Sequence, residues 1–404
     1  MKAVVFHEVG DIRLDTVPEP RLEAPDDAIV KLTSSAICGT DLHMVRGTLS
    51  DMVPGTILGH EGVGIVEEVG AHVRNLSRGE RVVIPSTIGC GYCSYCRRGY
   101  YAQCDNANPH GPLAGTVFFG GPKMSGPFQG LQAEWARIPY AQSGPVILPD
   151  NISDNQAILL SDIFPTGYFG AKLAGIQGGD TVAVFGCGPV GQFAIASAKL
   201  LNAGRIFAID KVPSRLDMAK RQGAEIINFD AEEVVATLRD LTGGVGPDCA
   251  IDAVGVDAEM PSHGRAYENG RAQAALAAQE LREIAPETHP RDGNWHPGNG
   301  PSQALHWAIE GVAKGGRVAI IGVYPPRDRF FPIGLAMNKN LRIMMGNCNH
   351  RAYLPELIRL VRTGAIDPSA VLTQERGIVN ALEAYKAFDK RSDGWMKVGL
   401  KLAS

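Results

Sequence analysis

Four of the eight cysteines fall in one short stretch, Cys90, Cys93, Cys96 and Cys104, with Gly89, Gly91 and Gly99 among them to let the chain fold around an ion. Thiolates at that spacing can occupy all four corners about a zinc ion, which describes a structural metal with no open position. Three other pieces each offer a further ligand: Cys38 in Cys38-Gly39-Thr40-Asp41-Leu42-His43, His60 with Glu61 in Gly59-His60-Glu61, and Asp162 in Ser161-Asp162. One thiolate, one imidazole and one carboxylate would hold a second zinc and leave a place for water or a substrate oxygen, the arrangement of a catalytic metal. Taken singly the residues have plainer readings, His43 as a hydrogen-bonded structural histidine and Asp162 as a helix cap. It is their joint occurrence that points to a metal.

Gly186-Cys187-Gly188-Pro189-Val190-Gly191 has the G-x-G-x-x-G spacing. It follows a predicted strand and opens a predicted helix, where glycines allow the turn, the close approach of a pyrophosphate and tight helix packing. The free N–H groups of the helix start then face the phosphates. Asp210 closes the next strand, placed to accept hydrogen bonds from the adenosine ribose hydroxyls and to repel a 2′-phosphate, so NAD is expected over NADP. Lys211 and Arg215 stand nearby and weaken that preference, although Arg215 also reads as a cover for the adenine face. A nucleotide-free glycine turn is the competing reading.

These residues need two scaffolds. A chain of 404 residues exceeds one ordinary core, and 48 glycines suit an α/β protein rich in tight turns. From Met1 to Pro149, short runs such as Ala3 to Phe6, Ile29 to Leu32 and Gly64 to Val69 predict mostly strand. From Asp154 a helical stretch leads to a strand at Thr181 to Phe185, a helix from Gln192 to Leu201 and a strand at Arg205 to Ile209, a βαβ unit that implies a parallel sheet. Later strands are expected at Pro247 to Ala253 and Gly316 to Gly322. Residues 256–301, rich in Gly, Pro, His and Ala with a helical patch from Ala272 to Ala285, read as an excursion at an edge of that sheet. The tail from Ala352 to Leu402 looks like a return to the first domain.

A net charge of -4 gives no reason to expect nucleic acid or an anionic membrane as partner. The amino terminus lacks the apolar core of a secretory leader, and no run approaches the roughly 18 apolar residues of a membrane span. A cytoplasmic protein is expected, in which clustered cysteines serve metal rather than disulfides. Cys187, Cys249 and Cys348 are read as buried thiols, and His7, His72, His110 and the histidines of the insert as structural or exposed.

Gly59-His60-Glu61-Gly62-Val63-Gly64, followed by Gly70 and Val73, resembles the signature of zinc-containing medium-chain alcohol dehydrogenases. The Cys38 motif, the four-cysteine lobe and the glycine turn stand in that family's order. The resemblance covers nearly the whole chain apart from the insert. It implies an α/β protein with a GroES-like, mostly-β catalytic domain at 1–160 carrying the zinc lobe at 89–105, a Rossmann doubly wound NAD-binding domain at 161–345, and a return at 346–404. It implies that Cys38 and His60 hold the catalytic zinc with Glu61 as an adjacent or alternate ligand, and that Asp162 takes the third place, where many members have cysteine. Leu160 to Tyr168 resembles the glutathione-independent formaldehyde dehydrogenase branch in this respect. The implied reaction carries hydride between an alcohol, or an aldehyde hydrate, and NAD. Thr40 would take the hydroxyl proton and pass it through the ribose to His43 near the surface; Thr166 and Val190 would pack on the nicotinamide; Lys397 would stand near the pyrophosphate. Gly39 replaces a basic residue that many members aim at the phosphates, and Ser86 and Thr87 hint at a more polar pocket wall. The insert is read as a coenzyme cover, a subunit contact or an exposed loop. A homo-oligomer is implied, a tetramer before a dimer, with Leu341 to Met345 pairing edge to edge. The alternatives carried forward are a formaldehyde dehydrogenase or dismutase needing no glutathione, and a non-catalytic NAD-binding protein of the same fold.

Overall fold

The structure is a computed structural model that describes residues 1–111, 114–263, 267–268 and 274–402. The chain divides into two compact units, one formed by Met1–Pro165, Thr288–Trp295 and Asn347–Ser404, the other by Thr166–Glu287 and His296–Gly346.

The first unit is built on a seven-stranded sheet whose path runs Gln374–Gly377, Val398–Lys401, Ala28–Ile37, Gly62–Val69, Arg81–Ile84 and Val146–Ile147, with Trp135–Ile138 also pairing to Ala28–Ile37. Ala28, Val30 and Leu32 on one strand and Val66 on its neighbour are wholly buried in one core, as alternation along the strands requires. Gly64 sits where a Cβ would come within 2.4 Å of the Lys31 carbonyl oxygen, so only glycine lets these two strands meet.

The second unit holds a six-stranded, all-parallel sheet in the order Glu225–Asn228, Arg205–Asp210, Thr181–Phe185, Cys249–Asp252, Arg317–Ile320, Arg342–Met345. This is the doubly wound order, reversing beside Thr181–Phe185, where ligands of such sheets bind outside the carboxyl ends of the strands. Strand alternation splits the core in two: Ala183, Phe185, Phe207 and Ala250 enter one cluster, and Val182, Val184, Ala208 and Ile251 the other. The helix after the glycine turn begins at Pro189, earlier than Gln192, because proline at the first helical position has no N–H to lose.

The excursion at 256–301 does not leave from an edge of the sheet. It joins Cys249–Asp252 to Arg317–Ile320, which pair with each other in the sheet interior. Its helix spans Ala274–Ile284, and Ala272 lies outside the described residues. Residues Thr288–Trp295 belong to the first unit, where Trp295 is buried in the core and its backbone N–H donates to Asp389 Oδ2 at 2.8 Å.

Glu280, on the insert helix, is 3% exposed and accepts a hydrogen bond from the Ser302 hydroxyl. Burial pushes its carboxyl up to about 7 from an ordinary value of 4.5, with the Ser302 hydroxyl pulling the other way. The folded state then resists ionisation: the penalty is absent below the unfolded value, grows as pH rises from there, and is complete above about 7. Glu280→Gln is therefore expected to melt above the parent at pH 8, by about 1–3 kcal/mol in stability, the gap closing as pH falls towards 4.5. Thermal melts of both proteins across that range check it.

Candidate active site and metal centres

Strand Ala28–Ile37 delivers Cys38 to the cap of helix Gly39–Arg46, and the Cys38 backbone N–H donates to Asp41 Oδ2 at 2.9 Å. His60 and Glu61 lie just before strand Gly62–Val69, after a turn in which Gly59 takes φ +90°. Asp162 sits at the break between helices Asp154–Ser161 and Ile163–Leu173. Its neighbour Ser161 ties this break to the sheet, the hydroxyl accepting from Gly62 N at 3.0 Å and donating to the Ile84 carbonyl.

The four side chains named from sequence converge. Ligand atoms of Cys38, His60, Glu61 and Asp162 all lie within 4.8 Å of one another, and all four residues are buried. Asp162 Oδ2 is 3.4 Å from Cys38 Sγ and 3.4 Å from His60 Nε2. Tetrahedral zinc with ordinary bond lengths would set its ligands roughly 3.3–3.8 Å apart, so this donor set fits the ion. Burial pushes the Cys38 thiol up and Asp162 adds to the effect, while Lys397 and His60 oppose it; a cation among these groups would release the thiolate. For Asp162 burial acts upwards, yet the hydrogen bonds from His350 and His60 hold its carboxyl well below the usual range.

Behind these four side chains stand residues that no motif in the sequence marks. His60 Nδ1 lies 3.2 Å from Asp41 Oδ1, out of line for a hydrogen bond, and both atoms lack any other partner. Gln132 Nε2 donates to Asp41 Oδ2 at 3.1 Å, and Tyr385 donates to Gln132 Oε1 at 2.7 Å. His350 Nε2 is 2.7 Å from Asp162 Oδ1. No spacing pattern marks these residues; each reaches the site through the tertiary fold.

Lys397 has partners that nothing in the sequence announces, and the expected surface position of His43 is corrected. Lys397, expected near the pyrophosphate, is 0% exposed, with its ammonium taken up by the Glu61 carboxylate and the Ile37 carbonyl oxygen. An unpaired Glu61 would be a bare buried charge, and Lys397 is the cation that answers it. His43 is not near the surface. It is 3% exposed and its Nδ1 lies 2.8 Å from Thr48 Oγ1. Thr40 lies one helical turn before His43, with its Oγ1 3.9 Å from Cys38 Sγ. The far end of this helix is held by Asp389, which Arg46 Nε meets at Oδ1 over 2.9 Å as a donor, and Asn294 Nδ2 of the insert donates to the other oxygen, Asp389 Oδ2, at 3.0 Å. Thr87, expected on a pocket wall, has its hydroxyl engaged with His350 and the Cys348 carbonyl; it and Ser86 are both buried.

The Cys90, Cys93, Cys96 and Cys104 sulfurs also lie within 4.8 Å of one another, with Cys93 and Cys104 at 3.9 Å, and no disulfide joins them. Backbone N–H groups already point at the sulfurs, Cys90 N at Cys104 Sγ over 3.2 Å and Cys93 N at Cys90 Sγ over 3.3 Å, as suits thiolate ligands. The hydrogen bond from Cys96 is the main cause that draws the Cys104 thiol down to about 5, against burial. The lobe suits zinc with every corner filled.

In the second unit, Gly186 takes φ +85° and Gly191 stands where a Cβ would come 1.8 Å from the Gly186 carbonyl oxygen. At Gly188, the cap of helix Pro189–Leu200, a Cβ would meet only the Arg215 guanidinium, at 3.8 Å, so the turn is open where a pyrophosphate would lie. Asp210 is fixed by three backbone donors, Cys187 N at 2.8 Å, Lys211 N at 2.7 Å and Val212 N at 2.9 Å. Lys211 is paired with Glu259 and Arg215 Nη1 lies 3.9 Å from Asp210 Oδ2. Thr166 and Val190 lie on helices that close-pack through Gly167, where a Cβ would come 2.6 Å from Ala194 N. The cradle fits a dinucleotide.

Comparison with known proteins agrees with this geometry. Residues 24–150 match the alcohol dehydrogenase GroES-like domain and residues 189–270 the zinc-binding dehydrogenase domain. The chain is 37% identical over 405 residues to a zinc-type alcohol dehydrogenase-like protein of Bacillus subtilis, covering 99% of this chain and 100% of that one. It is 34% identical over 297 residues to the glutathione-independent formaldehyde dehydrogenase of Pseudomonas aeruginosa, covering 70% and 73%. The solved alcohol dehydrogenase from Thermus sp. ATN1 superposes with a TM-score of 0.80 at 34% identity, with 99% of each chain covered. The chain belongs to the zinc-dependent medium-chain alcohol dehydrogenase family, and it is an oxidoreductase with zinc and a nicotinamide dinucleotide as cofactors. Among the described residues no helix is long and apolar enough to cross a membrane.

Proposed function

We propose that the enzyme carries hydride between primary or secondary alcohols and NAD, with a catalytic zinc on Cys38, His60 and Asp162 and a structural zinc on Cys90, Cys93, Cys96 and Cys104. The observation that carries this reading is the meeting of Cys38 Sγ, His60 Nε2 and Asp162 Oδ2 at zinc spacing, beside a Glu61 carboxylate engaged by Lys397. Held there, Glu61 leaves a position open for substrate. Zinc bound at this site supplies a Lewis acid that makes a substrate hydroxyl easier to deprotonate. Thr40, its Oγ1 3.9 Å from Cys38 Sγ, is assigned to receive that proton, and His43, held by Thr48, is the imidazole one turn along. Thr166 and Val190 are assigned to the nicotinamide. Gly186, Gly188, Pro189, Val190 and Gly191 are assigned to the pyrophosphate, and Asp210 with Arg215 to the adenosine.

A second substrate reading, formaldehyde oxidation without glutathione, is favoured by the carboxylate of Asp162 among the ligands and by the similarity to the Pseudomonas aeruginosa protein. The test is absorbance of the reduced nicotinamide while protein and NAD are offered a panel of alcohols and, separately, formaldehyde alone. Turnover of larger alcohols only supports the first reading, and strong formaldehyde oxidation the second. Silence on every substrate would sink both.

Coenzyme choice gives a further expected result. Lys211 is paired with Glu259, which leaves Asp210, with Arg215 Nη1 3.9 Å from it, as the carboxylate assigned to the adenosine ribose. Asp210→Ser is expected to shift the ratio of kcat/KM for NAD over NADP by at least about tenfold towards NADP, a change of about 1.4 kcal/mol. Steady-state kinetics with both coenzymes check it. For assembly, the exposed edge strand Arg342–Met345, with Met344 at 53% and Met345 at 59%, supports pairing between copies in a homotetramer. Eight cysteines without a disulfide fit a cytoplasmic location.

A further inference from the structure

We infer that His350 is a positioning residue for the catalytic metal, acting by fixing which oxygen of Asp162 faces the ion. The inference rests on the assignment of Asp162 as a zinc ligand. A cysteine ligand offers one sulfur and no choice, whereas a carboxylate offers two oxygens and can rotate between one-point and two-point binding. Two-point binding would occupy the position that substrate needs.

The structure divides the two oxygens. Asp162 Oδ2 faces the ligand set, 3.4 Å from both Cys38 Sγ and His60 Nε2. Oδ1 faces away from it, 2.7 Å from His350 Nε2. A carboxylate gripped on one oxygen by an N–H donor at that distance has lost its freedom to turn. The imidazole is itself fixed: Nδ1 lies 3.1 Å from Thr87 Oγ1, whose hydroxyl also lies 3.4 Å from the Cys348 carbonyl oxygen. His350 opens helix His350–Arg362, and the preceding Asn349 accepts a hydrogen bond from Ala102 N at 3.0 Å, so the helix start is tethered as well. His350 and Thr87 are 3% and 4% exposed, which shields the grip from water.

The charges agree with this role. One thiolate and one carboxylate balance the two positive charges of zinc, and Glu61 with Lys397 balance each other. With Nε2 on Asp162 Oδ1 and Nδ1 against Thr87 Oγ1, the His350 ring has a single direction in which to hold the carboxylate. This makes Asp162 and His350 one unit, in which the histidine has work only while the ligand is a carboxylate.

The experiment compares the parent with His350→Ala, His350→Gln, Asp162→Cys and the double variant Asp162→Cys/His350→Ala. Zinc is counted after dialysis against graded chelator, and the visible bands of the cobalt(II)-loaded proteins are recorded. The parent should hold two zinc ions per chain. His350→Ala should release one of them at about 10–100-fold lower chelator and shift the cobalt bands, while the four-cysteine metal stays. His350→Gln, whose amide can still donate, should recover part of the loss. In the Asp162→Cys background, removing His350 should change neither readout. Should His350→Ala fail to fold, Thr87→Val, which strips the second grip on the ring, should show a smaller loss in the same direction. Unchanged metal retention in a folded His350→Ala would overturn the inference and leave the zinc site standing. An equal loss with and without the Asp162 carboxylate would also overturn it, since His350 would then only brace the fold. A parent that holds only the four-cysteine metal would sink inference and zinc site together.

Discussion

Cys38→Ser is expected to leave the folded protein with one zinc ion in place of two and to lower kcat/KM by at least about a hundredfold. Residues that merely support a metal ligand typically cost about 10–100-fold when removed, so loss of a ligand sets that range as its floor. Serine is the informative replacement because Cys38 caps helix Gly39–Arg46. Serine is a good cap, so the helix that carries Thr40 and His43 keeps its start, while the hydroxyl stays protonated where a thiolate would bind zinc. The variant thus separates metal binding from folding. Metal analysis should find the remaining ion on the four cysteines, and a further Cys104→Ser change should remove it. Two ions with near-parental turnover would place the catalytic metal elsewhere.

What the sequence made legible follows the distance over which each feature acts. The four-cysteine lobe closes within one loop, and its spacing alone predicts the geometry observed, with all four sulfurs inside 4.8 Å. The glycine turn is equally local: the close approach of Gly191 to Gly186 spans a few residues and leaves its mark as two glycines. The convergence of Cys38, His60 and Asp162 is not local, and it was read through the resemblance to a family. Nothing near Lys397 in the chain announces its pairing with Glu61. His350 is illegible for the same reason: a single histidine after Asn349 carries no spacing signal, and its partner Asp162 stands 188 positions earlier in the sequence. For the insert, composition shows a long excursion but not which strands it joins; that depends on the order in which six parallel strands pair. Partners fixed by tertiary packing leave no period in the sequence.

The second large effect expected is on that unannounced pair. Lys397→Met should destabilise the first unit by about 3–5 kcal/mol, the cost of breaking a buried ion pair from one side. Both members are 0% exposed, and Glu61 Oε2 already lacks a hydrogen-bond partner, so the stranded carboxylate would have neither water nor a cation. The double variant Glu61→Gln/Lys397→Met, which removes both charges, should regain most of the loss, as melting of the metal-free proteins would show. If Lys397→Met is as stable as the parent, the pair contributes nothing. Zinc changes the outcome in a definite way. Ligand atoms of Glu61, Cys38, His60 and Asp162 already lie within 4.8 Å, so a Glu61 released from Lys397 has a bound cation within reach. Zinc should then restore part of the stability, and Glu61 should take the position that substrate requires. Lys397→Met is therefore expected to keep both zinc ions and still lose turnover, the opposite metal count from Cys38→Ser for a similar loss of activity. That contrast identifies the buried lysine as the group that keeps the fourth position open.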